Sequence, residues 1–539
     1  MESFMQWTTG WRDNVWAELD QPWDLVIIGG GITGAGILRQ AAHAKLRALL
    51  VEADDFASGT SSRSSKLVHG GLRYLKNAQF GVTLESVRER EYLLKQGRGL
   101  VNRLGFLYAC QQGDKIPGWV FGAGLTLYDI MAGQWTHCSY DLDDTRELCP
   151  LLTTPALRGG YRYFDANTDD ARLVLRLIRE SVADSGYALN YARVDSLLKT
   201  QSGQVCGVVL RDTSCESELQ AEVRAKVVIN ATGAWADELR ANIQQKPRMR
   251  PLRGSHLILP FDRLPITRAV SFLHPRDGRP VMAIPWEGAI LFGTTDVDHK
   301  ANIQTDPSIS SSEAEYLMEG LQSVFPAQEF DFKDVISTFS GLRPVVDTGK
   351  ADPSKESREH AIWDENGLLT VSGGKLTTFR IMARDALKAA RKYLGHVAFD
   401  VNTPVLDAFP PEAESAFAES GLPPAQQLRL LARYGVPFDT AQGRRTTQLF
   451  LDDSCRETIP NTPYLWAELC QAARAEGVVH LDDLLLRRVR LGLLAPNGGM
   501  DLLPRIRAIV QPELGWDDAR WEREAREYTE LWKRAYGLN

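Results

Sequence analysis

The first 22 residues have the pattern of an amphipathic helix that precedes the main body of the chain. Apolar side chains recur there at helical spacing, at Phe4, Trp7, Trp11, Val15 and Leu19. Pro22 ends the pattern, and the polar face carries Arg12 against several acidic residues. A helix bound at a membrane surface favours a basic polar face. The pattern therefore predicts an amphipathic extension over residues 1–22 that packs on its own protein.

Beyond Trp23 the apolar pattern alternates between strands and helices. The segment DLVIIGGGITGAGILRQAAHAKLRALLVEA predicts a strand, a glycine turn, a helix and a second strand. Short β-branched runs follow at residues 205–210, 227–230 and 369–371. Between about residues 240 and 370, the strand-like pieces HLILP, VMAIP and AILFGTTD are separated by proline and glycine. This order predicts a parallel α/β domain with an inserted antiparallel sheet.

The last part of the chain is predicted to be helical. Proline-rich residues 403–411 mark a boundary, and arginine-rich amphipathic stretches such as LDDLLLRRVRLGLL follow it. We therefore expect an all-α C-terminal domain over residues 401–539. This domain, which contains the arginine-rich stretch 482–493, has three candidate roles, which are dimerisation, capping of the preceding domain and contact with a partner.

The composition of the chain argues against several classes of protein. The 539 residues are 44% hydrophobic and 24% charged, as in ordinary globular proteins, and the net charge of −7 argues against a dedicated nucleic-acid binder. The seven cysteines form no C-x-x-C pair, which indicates reduced cytosolic thiols and no metal site. The longest apolar run, residues 119–128, has about half the ~20 residues of a membrane-spanning helix. Acidic residues near the amino terminus do not suit a signal peptide, so we expect a cytoplasmic protein.

The strongest chemical signal is a glycine fingerprint between the first strand and the first helix. Gly29, Gly31 and Gly34 have the G-x-G-x-x-G spacing, which allows a tight turn and a close approach of the backbone to a pyrophosphate. Glu52 ends the next strand, where a carboxylate can accept hydrogen bonds from ribose hydroxyls. Together these features predict a dinucleotide site.

Two later segments favour FAD over NAD as this dinucleotide. A strand ends in Ala231, Thr232 and Gly233, and another is followed by the turn at Gly373 and Gly374. FAD is long enough to need contacts from such distant segments. A helix that begins after Gly374 would point its positive end at the flavin, where it stabilises the negative charge that forms on reduction.

Longer motifs resemble a known enzyme family. They are SGTSSRSSKLVHGGLRYL (58–75), GSHLILP (254–260), IPWEGAILFGTTDVD (284–298), FSGLRPV (339–345) and SGGKLTTFR (372–380). In this order they are similar to the FAD-dependent, aerobic-type glycerol-3-phosphate dehydrogenases, over roughly residues 23–395. The resemblance implies an FAD-binding Rossmann-like domain interleaved with an antiparallel-sheet substrate domain over residues 23–400. The substrate-binding sheet is expected mainly at about 240–368, and the helical C-terminal domain follows.

The resemblance also implies an activity, the oxidation of sn-glycerol 3-phosphate to dihydroxyacetone phosphate. A hydride would pass from C2 of the substrate to N5 of the flavin, and a quinone would then accept the electrons. One alternative is a soluble FAD oxidase, acting on glycerol 3-phosphate or a related hydroxy or amino acid and producing hydrogen peroxide. A non-catalytic FAD-binding metabolite sensor is another alternative.

Candidate substrate residues lie in the matched motifs. Arg73, Arg343 and Lys375 are cations suited to a phosphate dianion, and Tyr74 adds a neutral donor. The proton of the C2 hydroxyl needs a base, for which His69 and His256 are the candidates. Arg343 has a second possible role, the electrostatic stabilisation of the alkoxide that forms as the proton leaves.

The same motifs supply candidate contacts to FAD. The predicted set, besides the fingerprint glycines, Glu52 and residues 231–233, is Thr60, Ser61, Ser62, Ser65, Lys66, Leu67, Gly374, Lys375, Leu376 and Thr377. Thr294, Thr295 and Asp296 form either a turn near the flavin or a plain β-turn. No EF-hand pattern is present, which favours a bacterial-type enzyme over a calcium-regulated one.

Partners other than the substrate are expected at the surface. Relatives that dock on membranes carry basic and apolar residues near position 120, but between Cys110 and Gly133 only Lys115 is basic here. Trp119, Val120 and Phe121 suit either a lipid interface or an ordinary packing surface. We therefore expect peripheral contact with the cytoplasmic face of the inner membrane, and a homodimer is a further expected assembly.

Overall fold

The chain is described here by a computed structural model. The described residues are 7, 10–76, 79–214, 219–350, 356, 359–395, 403–435, 449–450 and 456–538. The side chains of Arg73 and Lys76 lie outside this description, although their backbone is included.

The first sheet is mainly parallel and contains the predicted nucleotide-binding strand. Its strands lie in the order His360–Glu365, Leu368–Gly373, Gln220–Asn230, Trp23–Ile28, Ala48–Val51 and Tyr187–Leu189. All neighbours on this path are parallel except the first pair, which is antiparallel. Trp23–Ile28 and Ala48–Val51 consist almost wholly of buried residues, as expected for parallel strands covered on both faces.

Helices and a small antiparallel meander flank the first sheet. Ile32–His43 packs between Phe379–Leu394 and Asp170–Ala183. A Cβ atom at Gly36 would lie 2.8 Å from the ring of Phe379, so a glycine is needed for these helices to approach so closely. The strands Ala192–Lys199 and Val205–Asp212 pair with each other, and the second of them pairs with Gln220–Asn230.

The second sheet is mainly antiparallel. Its strands lie in the order Val297–Asp298, Met249–Pro260, Ala289–Gly293, Pro280–Trp286, Ala269–Leu273, Val101–Gln111, Leu157–Thr168 and Leu67–Val68. Ser337–Val346 also pairs with Met249–Pro260, and Cys138–Tyr140 pairs with Leu157–Thr168. The sheet thus includes strands that precede residue 240, which the predicted range did not cover. Glycine and polar residues interrupt the apolar alternation in Leu157–Thr168, so its sequence gave only a weak strand signal.

Four helices beside this sheet bear on the site or on the surface. They are Arg73–Lys76, Phe80–Gln96, Gly118–Ala132 and Ser311–Val324, and the last begins with a capping box between Ser310 and Glu313. Two shorter helices, Leu142–Leu148 and Ala236–Ala241, also lie before residue 400. The predicted α/β class, in which a mainly parallel sheet and an antiparallel sheet are interleaved along the chain, is confirmed.

The described C-terminal residues are helical, as predicted. The longer helices are Pro411–Ala418, Pro424–Tyr434, Trp466–Ala475, Leu503–Leu514 and Asp518–Ala535. Short helical turns lie between residues 481 and 502. Leu485, Val489 and Trp532 belong to the same buried cluster as Phe106 and Leu291 of the second sheet. The C-terminal helices therefore share a hydrophobic core with the α/β part.

The amino-terminal stripe packs on the protein body. The helix Trp11–Ala17 buries Trp11 and Val15, and the ring of Trp7 stacks on Phe56 with centroids 5.1 Å apart. Phe4 lies outside the described residues. Across the described residues, no helix has both the length and the hydropathy needed to cross a membrane.

Candidate active site

A single cavity of about 690 Å³ is lined by residues of both sheets. Ile28, Ala231 and Gly373, at the carboxyl ends of three parallel strands, line it from the first sheet. His256 and Arg343 line it from the second sheet. Ligands of open α/β sheets bind beyond the carboxyl ends of the strands, so this cavity is the expected place for a nucleotide.

The fingerprint glycines are required by the local geometry. Gly29 has φ +113°, and a Cβ atom there would lie 2.6 Å from the carbonyl oxygen of Ala231. A Cβ atom at Gly34 would lie 1.9 Å from the carbonyl oxygen of Gly29, so only glycine allows the helix to pack so closely on the strand. Gly31 is the N-cap of Ile32–His43 and leaves the helix amino terminus open to the cavity.

Glu52 lines the same end of the cavity. Its Oε2 atom accepts a hydrogen bond from the backbone N–H of Gly30 at 2.6 Å, and its Oε1 atom accepts from the N–H of Asp54 at 3.1 Å. Burial, followed by repulsion from Asp54, raises the pKa of the Glu52 carboxyl to about 7. A glycine cradle, an open helix end and a buried carboxyl on one elongated cavity fit the pyrophosphate and ribose of a dinucleotide.

The serine- and threonine-rich loop crosses the middle of the cavity. Ser61 Oγ accepts from the backbone N–H of Ile32 at 2.9 Å, which ties the loop to the start of the first helix. Thr60 Oγ1 donates to the carbonyl oxygen of Leu342 at 2.5 Å. Ser65 Oγ and His256 Nε2 are 2.8 Å apart, a hydrogen-bond distance. This loop therefore connects the helix Ile32–His43 with the two strands of the second sheet that carry Leu342 and His256.

Lys66 does not line the cavity, contrary to the predicted FAD contact. It has φ +58°, and its buried ammonium group lies 2.9 Å from Asp170 Oδ1. The same carboxylate accepts from Ser64 Oγ at 2.7 Å and from Arg490 Nη2 at 2.6 Å. Burial lowers the pKa of Lys66 to about 8, against the opposing effect of Asp170. Lys66 thus anchors the serine- and threonine-rich loop on the side that faces away from the cavity.

The other end of the cavity contains the predicted substrate residues. The Lys375 ammonium group lies 4.3 Å from the centroid of the Tyr74 ring and donates to Ser86 Oγ. Thr377 Oγ1 accepts from the backbone N–H of His69 and donates to its carbonyl oxygen, each at 3.1 Å. His69, Tyr74 and Lys375 are thereby held next to one another on the cavity wall.

Arg343 lies on the second-sheet wall of this end. Its Nη1 atom donates to the Thr295 carbonyl and to Asp296 Oδ1, both at 3.1 Å, and Nη2 donates to Thr294 Oγ1 at 2.9 Å. The turn at residues 294–296 therefore orients the guanidinium group. A Cβ atom at Gly254 would lie 2.2 Å from Arg343 Nη2, so the absence of a side chain there makes room for the guanidinium group.

His256 is buried beside Arg343 and stacks on Phe339 at 4.7 Å between centroids. Among the described residues, no hydrogen-bond partner reaches its Nδ1 atom. Burial, followed by the positive charges of Arg343 and Lys66, lowers the pKa of the imidazole well below its usual value. The ring is therefore neutral near pH 7.

Most of the predicted site residues line this one cavity. They are Gly29, Gly31, Glu52, Thr60, Ser61, Ser65, Leu67, His69, Tyr74, Ala231, Thr232, Gly233, His256, Arg343, Gly374, Lys375, Leu376 and Thr377. Three other predicted residues do not line the cavity, namely Gly34, Ser62 and Lys66. Their contacts lie within the loop and the helix or on the side away from the cavity, so they support the lining residues indirectly. The side chain of Arg73 lies outside the described part of the structure.

Other cavity residues were not predicted from the sequence. Ala192, Arg193, Val194, Asp195, Trp235, Glu238 and residues 303–307 line the end near Glu52. Trp235 Nε1 donates to the carbonyl oxygen of Ile303 at 2.9 Å, which closes this side. These residues come from the start of a strand, from short helical elements after residue 232 and from an irregular segment, none of which carries a fingerprint. Only the position of Trp235, just after the Ala-Thr-Gly turn, gave any signal of a role.

Arginines of the C-terminal region reach into the α/β part. Arg487 Nε lies 2.5 Å from Asp55 Oδ2, and Arg488 Nη2 lies 2.8 Å from Asp55 Oδ1. Arg490 Nη2 lies 2.7 Å from Asp169 Oδ1, in addition to its contact with Asp170. All of these side chains are buried. Of the three candidate roles of the C-terminal domain, these contacts match capping of the nucleotide-binding part.

Two family models match the chain in succession. Residues 24–393 match the FAD dependent oxidoreductase model, and residues 402–521 match the C-terminal domain of alpha-glycerophosphate oxidase. The first match ends and the second begins on either side of the predicted boundary at residue 400. The exact domain limits stay a prediction.

Relatives and solved structures agree with these matches. Glycerol-3-phosphate dehydrogenase 2 of Mycobacterium tuberculosis is 35% identical over 96% of this chain and 89% of its own length. Aerobic glycerol-3-phosphate dehydrogenase of Staphylococcus aureus is 33% identical over 86% of both chains. The crystal structure of glycerol-3-phosphate dehydrogenase from Bacillus halodurans, complexed with FAD, has a TM-score of 0.78 at 27% identity over 98% of both chains.

A more distant structure shares the fold alone. L-alpha-glycerophosphate oxidase from Mycoplasma pneumoniae has a TM-score of 0.57 and 16% identity over 72% of this chain and 99% of its own. The site geometry, the family models and the dehydrogenase relatives lead to one conclusion. The chain belongs to the FAD-dependent glycerol-3-phosphate dehydrogenase family.

Proposed function

We propose that this protein oxidises sn-glycerol 3-phosphate to dihydroxyacetone phosphate. The observation that carries the proposal is that Arg343, His256 and Lys375 line the same cavity as the dinucleotide fingerprint. The substrate is a dianionic phosphate with a secondary alcohol at C2. Cations suit the first group, and a neutral histidine beside an arginine suits the second.

Each charged or titratable group has a distinct proposed task. Lys375, next to the phenol of Tyr74, binds the phosphate, with Arg73 as a further proposed phosphate ligand. Arg343 is oriented by residues 294–296 and stabilises the negative charge that grows on the C2 oxygen. These assignments separate binding of the phosphate from the chemistry at C2.

His256 is the proposed base. It takes the proton of the C2 hydroxyl as the C2–H bond breaks and the C2=O bond forms. Its neutral imidazole and its Nδ1 atom, which has no hydrogen-bond partner among the described residues, support this role. The backbone of His69 is tied to Thr377, so we assign His69 to the shape of the substrate end. Bound FAD supplies the hydride acceptor for this oxidation.

The proposed FAD contacts follow the wall of the cavity. Gly29, Gly31 and the helix that begins at Ile32 bind the pyrophosphate, and Glu52 binds the ribose. Residues 231–233 and the Gly374 turn complete the proposed contacts, together with the serine- and threonine-rich loop. Gly34, Ser62 and Lys66 support these contacts indirectly.

We further propose that a quinone accepts the electrons. The names of the closely matching relatives, which are dehydrogenases and not oxidases, support this choice. Purified protein should reduce a soluble quinone analogue in the presence of glycerol 3-phosphate and form little hydrogen peroxide in air. Stoichiometric peroxide, with no stimulation by the quinone analogue, would instead support the oxidase alternative.

The surface offers a place for contact with the membrane that holds the quinone. On and just after the helix Gly118–Ala132, Trp119 is 74% exposed, Ile130 is 62% exposed and Trp135 is 70% exposed. Asp129 Oδ2 accepts from the backbone N–H of Thr136 at 2.6 Å, which fixes the loop that presents Trp135. Indole rings favour the membrane–water interface. We therefore propose that this apolar surface rests on a membrane.

Substituting both exposed tryptophans tests this surface. The double variant Trp119→Ser, Trp135→Ser should bind lipid vesicles about tenfold more weakly or worse, because binding depends on the apolar area that the surface buries. Sedimentation with phosphatidylethanolamine–phosphatidylglycerol vesicles measures the effect. Phe332→Ser, which removes an exposed aromatic side chain elsewhere, is the matched control and should bind as wild type does. Equal binding by all three proteins would contradict the proposed surface.

A further inference from the structure

Three buried polar side chains meet directly behind the segment that carries His69 and Tyr74. Asp165 belongs to the strand Leu157–Thr168, Arg90 to the helix Phe80–Gln96 and Tyr128 to the helix Gly118–Ala132. Each is at most 5% exposed. None of the three lines the cavity, so they act on the site only through the residues that they hold.

One carboxylate oxygen of Asp165 accepts hydrogen bonds from three donors. Asp165 Oδ1 accepts from Arg90 Nη1 at 2.7 Å, from the Tyr128 hydroxyl at 2.8 Å and from the backbone N–H of Gly70 at 3.0 Å. Burial, followed by the charge of Asp165, raises the pKa of Tyr128 well above its usual value, so the phenol remains a donor. The backbone of Gly70 is thus held by the Asp165 carboxylate. The other two donors to this carboxylate oxygen belong to two separate helices.

Packing also restricts the position of Gly70. A Cβ atom at this position would lie 2.3 Å from the Tyr128 hydroxyl and 2.4 Å from Val87 Cγ2. The preceding residue, His69, is held on its other side by Thr377. A shift of Tyr128 or Asp165 would therefore move the backbone between two residues that face the substrate end, His69 and Tyr74.

The helix Phe80–Gln96 extends this support to the phosphate end. Ser86 and Arg90 are four residues apart, so both lie on one face of the helix. Ser86 Oγ accepts from the Lys375 ammonium group, and Arg90 pairs with Asp165. One helix face therefore sets the position of Lys375 relative to the His69–Tyr74 backbone.

We propose that Arg90, Tyr128 and Asp165 form a positioning cluster that fixes the substrate-binding segment, residues 69–74, against Lys375. The cluster holds no substrate and no cofactor, and its effect is to keep the phosphate end of the site in its binding geometry. This inference rests on the proposed function, since it assigns the segment to glycerol 3-phosphate. Loss of the cluster should weaken substrate binding and leave FAD binding and the chemical step largely intact.

The variant Tyr128→Phe tests the cluster with the smallest change in volume. It removes the Tyr128 hydroxyl, which donates to Asp165 Oδ1 at 2.8 Å and accepts from Arg90 Nη1 at 3.1 Å, and it keeps the ion pair between Arg90 and Asp165. We expect the KM for glycerol 3-phosphate to rise about three- to tenfold, with kcat and FAD content within about twofold of wild type. The dissociation constant for dihydroxyacetone phosphate, followed through the flavin spectrum, should rise by a similar factor.

Tyr528→Phe is the matched control. It also removes a buried phenol hydrogen bond, the one from Tyr528 to the carbonyl oxygen of Gly498 at 2.6 Å, but neither of these residues lines the cavity. The proposal is overturned if Tyr128→Phe moves KM no more than this control does, or if kcat falls while KM stays unchanged. Asp165→Asn, which also removes the charge, should raise KM further than Tyr128→Phe. Wild type that is not reduced by glycerol 3-phosphate would overturn the proposed function instead.

Discussion

Replacing Arg343 with alanine should lower the rate of flavin reduction by glycerol 3-phosphate by about 10²- to 10³-fold, or about 2.7–4 kcal/mol of transition-state stabilisation. The reason is electrostatic. Arg343 is fixed by residues 294–296 and faces the cavity beside His256, so its charge is already in place when the C2 oxygen becomes negative. Anaerobic stopped-flow spectroscopy measures the effect directly, because the flavin absorbance falls as the substrate is oxidised.

Arg279 provides a matched control for this variant. Its Nη2 atom lies 2.8 Å from Asp296 Oδ2, the carboxylate that also pairs with Arg343, but Arg279 does not line the cavity. Arg279→Ala should therefore leave the reduction rate within about threefold of wild type. Equal losses in the two variants would place the effect in the Asp296 turn and remove Arg343 from the chemical step.

Replacing Asp170 with alanine should lower the free energy of unfolding by about 3–5 kcal/mol. Asp170 is fully buried and pairs with Lys66 at 2.9 Å and with Arg490 at 2.6 Å. Removing one member of a buried ionic cluster leaves the remaining charges poorly compensated, which costs far more than losing an exposed pair. A lower urea midpoint of the FAD-loaded protein, at an unchanged denaturant slope, is the expected result.

An exposed ion pair serves as the control for Asp170→Ala. Glu319→Ala removes the pair between Arg276 and Glu319, whose side chains are largely exposed, and should change stability by less than about 1 kcal/mol. A comparable loss in both variants would show that the Asp170 cluster contributes no more than a surface pair. Because Asp170 also holds the Ser64 hydroxyl, its loss should weaken FAD binding as well.

Local rules explain why the nucleotide end of the site was predictable. The positive φ of Gly29, the close packing at Gly34 and the place of Glu52 at a strand end all follow from short segments whose spacing determines the geometry. The predicted strands at 205–210, 227–230 and 369–371 were confirmed because β-branched runs between turn residues have few alternatives.

Long-range partners explain what the sequence did not reveal. Lys66 lies in a motif that suggests a cofactor contact, yet its left-handed backbone and Asp170, about a hundred residues away, turn its ammonium group into the core. Asp165 and Tyr128 have no motif, and their role depends on an encounter with Gly70 across three elements. Side-chain direction and tertiary pairing, which spacing alone does not determine, decide these cases.

The arginines near residue 488 are a similar case. Their amphipathic pattern correctly predicted a helical region, but it left three roles open. Only the positions of Asp55 and Asp169, from distant parts of the chain, show that Arg488 and Arg490 bury their charges against the nucleotide-binding part. The C-terminal region is therefore part of the structure that supports the site.

Arg343, His256 and Lys375 form the proposed site for the oxidation of glycerol 3-phosphate. Anaerobic mixing of the FAD-loaded protein with sn-glycerol 3-phosphate tests it most directly, with glycerol as the comparison that lacks a phosphate. We predict that the flavin absorbance bleaches with glycerol 3-phosphate within a catalytic turnover time and remains with glycerol at the same concentration. An unbleached flavin with glycerol 3-phosphate, or equal bleaching by both alcohols, would contradict the account.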